Sequence, residues 1–287
     1  ADIEPEQRHR ESARRRFRRE ALAAALHAEQ QHALRRIEFR GGLELSSRHP
    51  AFGGISAIHV EPDGNRFIAI TDRGSWLRGR IAYRDGKPAG IADAEMAPIL
   101  GADGQPLAAR GWYDVESLAE RDGVLYIGIE RAEQIARFDY RRDGVRARGQ
   151  TVDVPADFKT FTFNKSLECL AAPRQGALAG GLIVVTEHSL DGAGNLRSFV
   201  LGAGQVTRFS IKRTDDFDVS DCALLSPDEL LLLERRYSPA RGIALRAQQF
   251  AGARPSRART GATALADLAR RLAAVQIDSV NVLVRSH

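Results

Sequence analysis

Four acid-base dipeptides recur along this chain at similar intervals: Asp72-Arg73, Glu130-Arg131, Glu187-His188 and Glu234-Arg235. Each closes an apolar run, and each run follows another that carries a polar residue near its start, Ser56, Glu116, Glu168 and Asp221 in turn. Carboxylates gathered from separate repeats repel one another unless they are paired or neutralised. Two kinds of chemistry would answer that repulsion. The oxygens can hold a hard cation such as calcium, which takes six to eight of them and can bridge to an anionic ester or phosphate. Alternatively, each carboxylate pairs with an arginine, with Lys165 or with backbone amides and fixes the architecture. On the first view Glu116, Glu168 and Asp221 are the expected ligands, with Asp72, Glu130, Glu187 and Glu234 as further ligands beside them. Arg73, Arg131 and Arg235 would then orient an anion. Glu116 and Glu168 are also candidate catalytic carboxylates, and His188, standing where the other repeats carry Arg, is the candidate general acid-base.

The elements that must position these groups are hairpins. Trp112 to Ala132 joins two apolar runs through Asp122-Gly123, and Asp-Gly supplies the positive backbone angles of a tight hairpin turn. The same phrase recurs in Gly53 to Gly74, Phe163 to His188 and Phe217 to Arg236, with a further start at Ile277 that ends with the chain at His287. Two more strand-like segments follow the second and third hairpins, as in QIARFDY and RARGQTVDVP. Four short strands per repeat predict an all-β fold of the β-propeller class. In such a fold the first strands line a central channel. Ser56, Glu116, Glu168, Asp221 and Asn281 are then expected at one equivalent position, and the next residues, Ala57, Ser117, Cys169, Cys222 and Val282, should face the packed interior. Cys169 and Cys222 read as small buried apolar residues, unlinked because equivalent positions on neighbouring blades do not suit a disulfide.

Around this domain, from residue 37 onward, residues 2 to 36 predict a basic polar helix, and Leu265, Leu268, Leu272 and Val275 mark a second helix over 264 to 275. The net charge of +5 is concentrated in the Arg-rich opening segment and in Arg254 to Arg271, and the basic arm lacks the interleaved aromatics of a nucleic-acid site, so none is expected as a partner. No apolar run is long enough to span a bilayer. A first residue of Ala rather than Met is compatible with a removed export signal. There is no GxSxG elbow around Ser56, no P-loop, no HExxH and no EF-hand loop. His59 falls on the interior alternation and reads as a core histidine. Arg48-His49-Pro50 lacks the remainder of an acid-phosphatase signature.

The runs FRGGLELSSRHPAFGGISAIHVEPDGNRFIAITDRG, DVESLAERDGVLYIGIERAEQIARF, SLECLA with a later TE, and DVSDCALLSPDELLLLERRYS resemble the phytase-like family, also called esterase-like activity of phytase. The resemblance runs from about Ile37 to Phe250, with a weaker match near Ile277. It implies a six-bladed propeller, export to the periplasm or beyond in a bacterium, and hydrolysis of small anionic esters or phosphoesters. Asn281 stands where the family carries an acid, and the family pattern continues beyond His287. That departure makes an incomplete last blade the expectation, and keeps a non-catalytic binding platform or an inactive shortened relative as rival readings.

Overall fold

A computed structural model describes residues 42 to 251, apart from 203, 228, 240 and 241. The expected helices over 2 to 36 and 264 to 275, and the strand from Ile277 with Asn281 and Val282, lie outside the described residues. Of the strand expected from Ile37, residues 42 to 45 belong to no regular element.

Among the described residues, fifteen strands form four antiparallel sheets, each a meander in chain order. The first holds β1 (Ile55–Val60), β2 (Arg66–Thr71), β3 (Ser75–Arg84) and β4 (Lys87–Pro98). In the second are β5 (Val115–Arg121), β6 (Val124–Ile129), β7 (Gln134–Asp139) and β8 (Gln150–Val152). The third comprises β9 (Cys169–Ala171), β10 (Leu182–Leu190), β11 (Leu196–Gly202) and β12 (Gln205–Ile211). Among the described residues the fourth has three strands, β13 (Asp218–Ser226), β14 (Glu229–Ser238) and β15 (Gly242–Ala251). β1 lies against β5, β5 against β9 and β9 against β13, so the first strands are neighbours about one axis and the sheets are propeller blades. The Asp122-Gly123 turn joins β5 to β6 with both residues at positive φ, 54° and 83°.

The apolar faces of successive blades close on each other, which is why the alternation along each strand fixes the fold. Ile70 and Trp76 of blade 1 meet Val115, Leu118, Ile127 and Phe138 of blade 2, with the Trp76 and Phe138 rings edge to face at 5.3 Å. Leu167, Val184 and Phe199 continue the pattern against Ile135, and Val185, Leu196 and Ile211 meet Val219, Leu232 and Phe250. Gly128 lets blades 2 and 3 approach: a Cβ there would stand 2.3 Å from Ser117 Oγ and 2.9 Å from Leu167 Cβ.

Near the axis the pairing departs from simple alternation. A bulge falls between Ile55 and Ala57, between Val115 and Ser117, and between Val219 and Asp221. In blade 3 the same step separates the Ser166–Glu187 backbone bond from the Cys169–Val185 pair. Ser56, Glu116, Glu168 and Ser220 therefore share a position, and Asp221 falls one residue beyond it, with Ala57, Ser117 and Cys169. This corrects the sequence alignment of the fourth repeat by one residue, a shift that exchanges the two faces of a strand.

The cysteines need a second correction. Cys169 and Cys222 form a disulfide across 53 residues, tying β9 to β13 with Cα atoms 5.3 Å apart. In the corrected register Cys222 is one residue past the equivalent of Cys169, so the objection that equivalent positions cannot pair does not apply.

Candidate functional site

Three carboxylates converge at one end of the axial strands. One oxygen each from Glu130, Glu168 and Glu187 lies within 4.8 Å of the others, and these oxygens are buried. Their placement follows from the bulged register. Glu130 follows the last paired residue of β6, and Glu187 lies in β10 two residues past the Val185 that pairs with Cys169; their backbone N–H groups donate to Asp114 O and Ser166 O at 2.9 Å. Glu168 occupies the bulge position itself, immediately before β9. The equivalent of Glu130 and Glu187 in blade 1 is Asp72, whose N–H donates to Gly54 O at 2.8 Å. Gly54, at φ 58°, is required there, because a Cβ would stand 2.2 Å from Asp72 Oδ1.

In blade 4 the corrected register puts Arg235 at that position, and its guanidinium comes within 3.9 Å of Glu187. Lys165 is closer, with Nζ donating to Glu187 Oε1 at 2.7 Å. The Ser166 N–H donates to Glu130 Oε1. Burial nevertheless pushes the Glu130 carboxyl above its ordinary range; the Ser166 amide offsets part of this, and the negative charges of Glu187 and Asp114 add to it. Burial likewise raises Asp114, with Arg131 opposing and Asp72 reinforcing the shift.

A carboxyl raised in this way protonates more readily in the folded chain than in the unfolded one. Without a cation, its contribution to stability falls as pH rises from the unfolded value of about 4.3 through the raised folded value, and is constant above. Glu130→Gln should flatten that decline, which chemical unfolding in chelator at a series of pH values from about 4 to 8 would measure. Identical slopes for the two proteins would show that Glu130 carries no such cost.

The donor set suits a hard cation. Calcium-oxygen bonds of about 2.3 to 2.6 Å allow two ligands on one ion to stand up to about 5 Å apart, which the three carboxylates satisfy. Two buried oxygens, Ser166 Oγ and Asp72 Oδ1, also have no hydrogen-bond partner among the described residues. Ser166 is 2% exposed and its backbone joins two of the three glutamates, through N–H to Glu130 and C=O to Glu187.

The other expected site residues are placed differently. Glu116 is half-buried at the β5 bulge, and Asp221 Oδ1 accepts from Cys222 N at 2.7 Å. Glu234 is fully buried, with both oxygens taken by Arg246 at 2.7 and 2.9 Å, so it does not face the carboxylate cluster as a spare ligand. Arg73 is exposed. Arg131 Nε lies 3.6 Å from Asp114. His188 Nδ1 lies 2.6 Å from Asp218 Oδ1, which also accepts from Arg213 Nε at 2.8 Å. Ser56 is buried, its Oγ donating to Gly54 O at 3.2 Å. Burial lowers the pKa of His59, which stands 3.8 Å from Glu120.

Sequence reasoning missed Ser166, Asp114 and Asp218. The Asp-Val that opens both DVES and DVSD is the signal that would have found the two aspartates. A cavity of about 570 Å³ beside the β7–β8 connection is lined by Ala102, Arg142, Asp143, Arg146, Arg148 and Gln150, and none of the clustered carboxylates reaches it.

The fold and the cluster define a β-propeller with an acidic axial site. More particularly, the chain belongs to the phytase-like family, described as esterase-like activity of phytase, whose sequence profile matches residues 50 to 282. No curated protein matches it. Among solved structures it is similar to U3-55K, at 14% identity and a TM-score of 0.38, covering 70% of this chain and 53% of that one. It is also similar to the WD40 repeats of RRP9, at 13% and 0.34 over 67% and 50%, and to the N-terminal domain of Nup159, at 10% and 0.34 over 71% and 60%. The aligned part thus spans between half and three-fifths of each of these chains.

Proposed function

We propose that this protein is an exported hydrolase of small anionic esters or phosphoesters whose acidic cluster holds a divalent cation, calcium by the character of its donors. The observation that carries the reading is the buried Glu130, Glu168 and Glu187 triad, with its oxygens within 4.8 Å of one another. Lys165 and Arg235 place positive charge beside Glu187, and a cation would add positive charge where the three carboxylates meet. Such an ion supplies positive charge that polarises an ester or phosphoryl oxygen.

The protein's own groups would do the rest. Glu130, Glu168 and Glu187 would hold the ion, while Arg131 and Arg235 would orient the anionic part of the substrate. With its proton on Nδ1 and donated to Asp218, His188 keeps Nε2 as an acceptor able to take a proton from water. Arg213 holds Asp218 in turn. The Cys169–Cys222 disulfide supports export, since such bonds persist in oxidising compartments.

Calcium titration by calorimetry, run beside hydrolysis of a nitrophenyl ester and a nitrophenyl phosphate, tests the reading. Glu168→Gln should weaken calcium binding more than about tenfold and abolish chelator-sensitive turnover. Unchanged turnover in the variant, or no calcium binding by the native chain, overturns it.

A further inference from the structure

Two exposed aromatic side chains serve a single guanidinium. Arg131 Cζ lies 5.0 Å from the centroid of the Tyr113 ring and 4.8 Å from that of Phe163. Phe163 is 68% exposed, so a whole phenyl ring stands in water with only part of its surface covered. Neither ring belongs to a core cluster. Tyr113 lies in the segment leading into β5 and Phe163 in the segment leading towards β9.

The stack adjoins the acidic cluster through the chain itself. Arg131 directly follows Glu130, Tyr113 directly precedes Asp114, and Phe163 is two residues before the Lys165 that binds Glu187. Ring stacking occupies the flat faces of a guanidinium and leaves its N–H edge for in-plane acceptors. Asp114 lies on the Nε side at 3.6 Å, beyond a hydrogen bond, and the Arg131 side chain donates no hydrogen bond to another described residue. A preorganised donor edge is thus flanked by uncovered aromatic surface, one requirement being met by an anion and the other by a flat apolar group.

We infer that Tyr113, Arg131 and Phe163 form a recognition element that selects anionic esters bearing an aromatic group over anions without one. The anion meets the Arg131 edge, and the aryl group stacks on the open surface of Phe163. Offset or edge-to-face stacking needs no enclosing pocket, only a ring held in place, which the contact with Arg131 provides. The inference rests on the anion-binding role given to Arg131 above, and does not need the site to turn over.

The test compares phenyl phosphate with inorganic phosphate, at a pH above the second dissociation of both so that each is a dianion and they differ in the ring, by calorimetry on the full chain with calcium. The native protein should bind phenyl phosphate about tenfold more tightly than inorganic phosphate. Phe163→Ala should bring that ratio to about one, and Phe163→Trp should restore it. Arg131→Ala should weaken both probes. A native ratio near one, a ratio untouched by Phe163→Ala, or failure to bind either probe overturns the inference. Absence of hydrolysis with the ratio preserved rejects the hydrolase reading and leaves the recognition element standing.

Discussion

Arg246→Ala is expected to lower the unfolding free energy by about 3 to 5 kcal/mol, the range for removing one partner of a buried ion pair. Glu234 is fully buried, and its two oxygens accept from Arg246 Nε and Nη2 at 2.7 and 2.9 Å. Arg246 also lies 4.3 Å from the Phe217 ring centroid and reaches Thr214 Oγ1 at 3.0 Å, so the substitution removes packing as well as charge. What dominates is the carboxylate left behind without a partner. The side chain of Arg246 is 24% exposed, so water can reach part of the defect and the lower half of the range is favoured. Urea unfolding would measure the loss, and a change below about 1 kcal/mol would show that the pair is replaceable by solvent. Replacing both partners by apolar residues of similar size, Glu234→Leu with Arg246→Met, should recover most of the stability, because it removes the charge and its need for compensation together.

Glu234 also marks where the sequence stopped being legible. The repeats, their four-strand composition and the Asp122-Gly123 turn could be read because they rest on alternation and turn chemistry, which are local. Register near the axis could not. The acid-base pair Glu234-Arg235 resembles Glu130-Arg131, so sequence comparison superimposes them; the backbone bonds instead align Arg235 with Glu130 and Ser220 with Glu116. A bulge is one residue of unpaired backbone, and a repeat that gains or loses a residue elsewhere hides it. The consequences are chemical. Glu234 turns to Arg246 in the blade, while Arg235 becomes the group that approaches Glu187 at 3.9 Å. Among the described residues, the carboxylates expected from all blades are thus reduced to a cluster supplied by blades 2 and 3, with the Arg235 guanidinium from blade 4. Tyr113 and Phe163 escaped notice for another reason: they lie before the strands, where no periodicity points to them.

Reduction of Cys169–Cys222, or substitution of both by Ala, is expected to cost about 4 kcal/mol. The disulfide closes a loop of 53 residues, and the entropy that such a link removes from the unfolded chain grows with the logarithm of loop length, giving about that value. The location adds a reason for the effect to matter. β9 has three residues, the shortest of the axial strands, and it joins the Glu168 position to the rest of blade 3. Residues 172 to 181 separate it from β10, so little local chain holds it, and the link to β13 anchors it from the neighbouring blade. Loss of the bond should therefore loosen Glu168 as well as lower global stability. Urea unfolding with and without reductant measures the first effect, and calcium affinity of the Cys169→Ala, Cys222→Ala protein measures the second. A drop in both ties the covalent link to the site. If stability falls while calcium affinity holds, the blade 2 and blade 3 packing around Leu167 suffices to place Glu168, and the disulfide acts on the unfolded chain alone. No change in stability on reduction would contradict the loop-entropy argument itself.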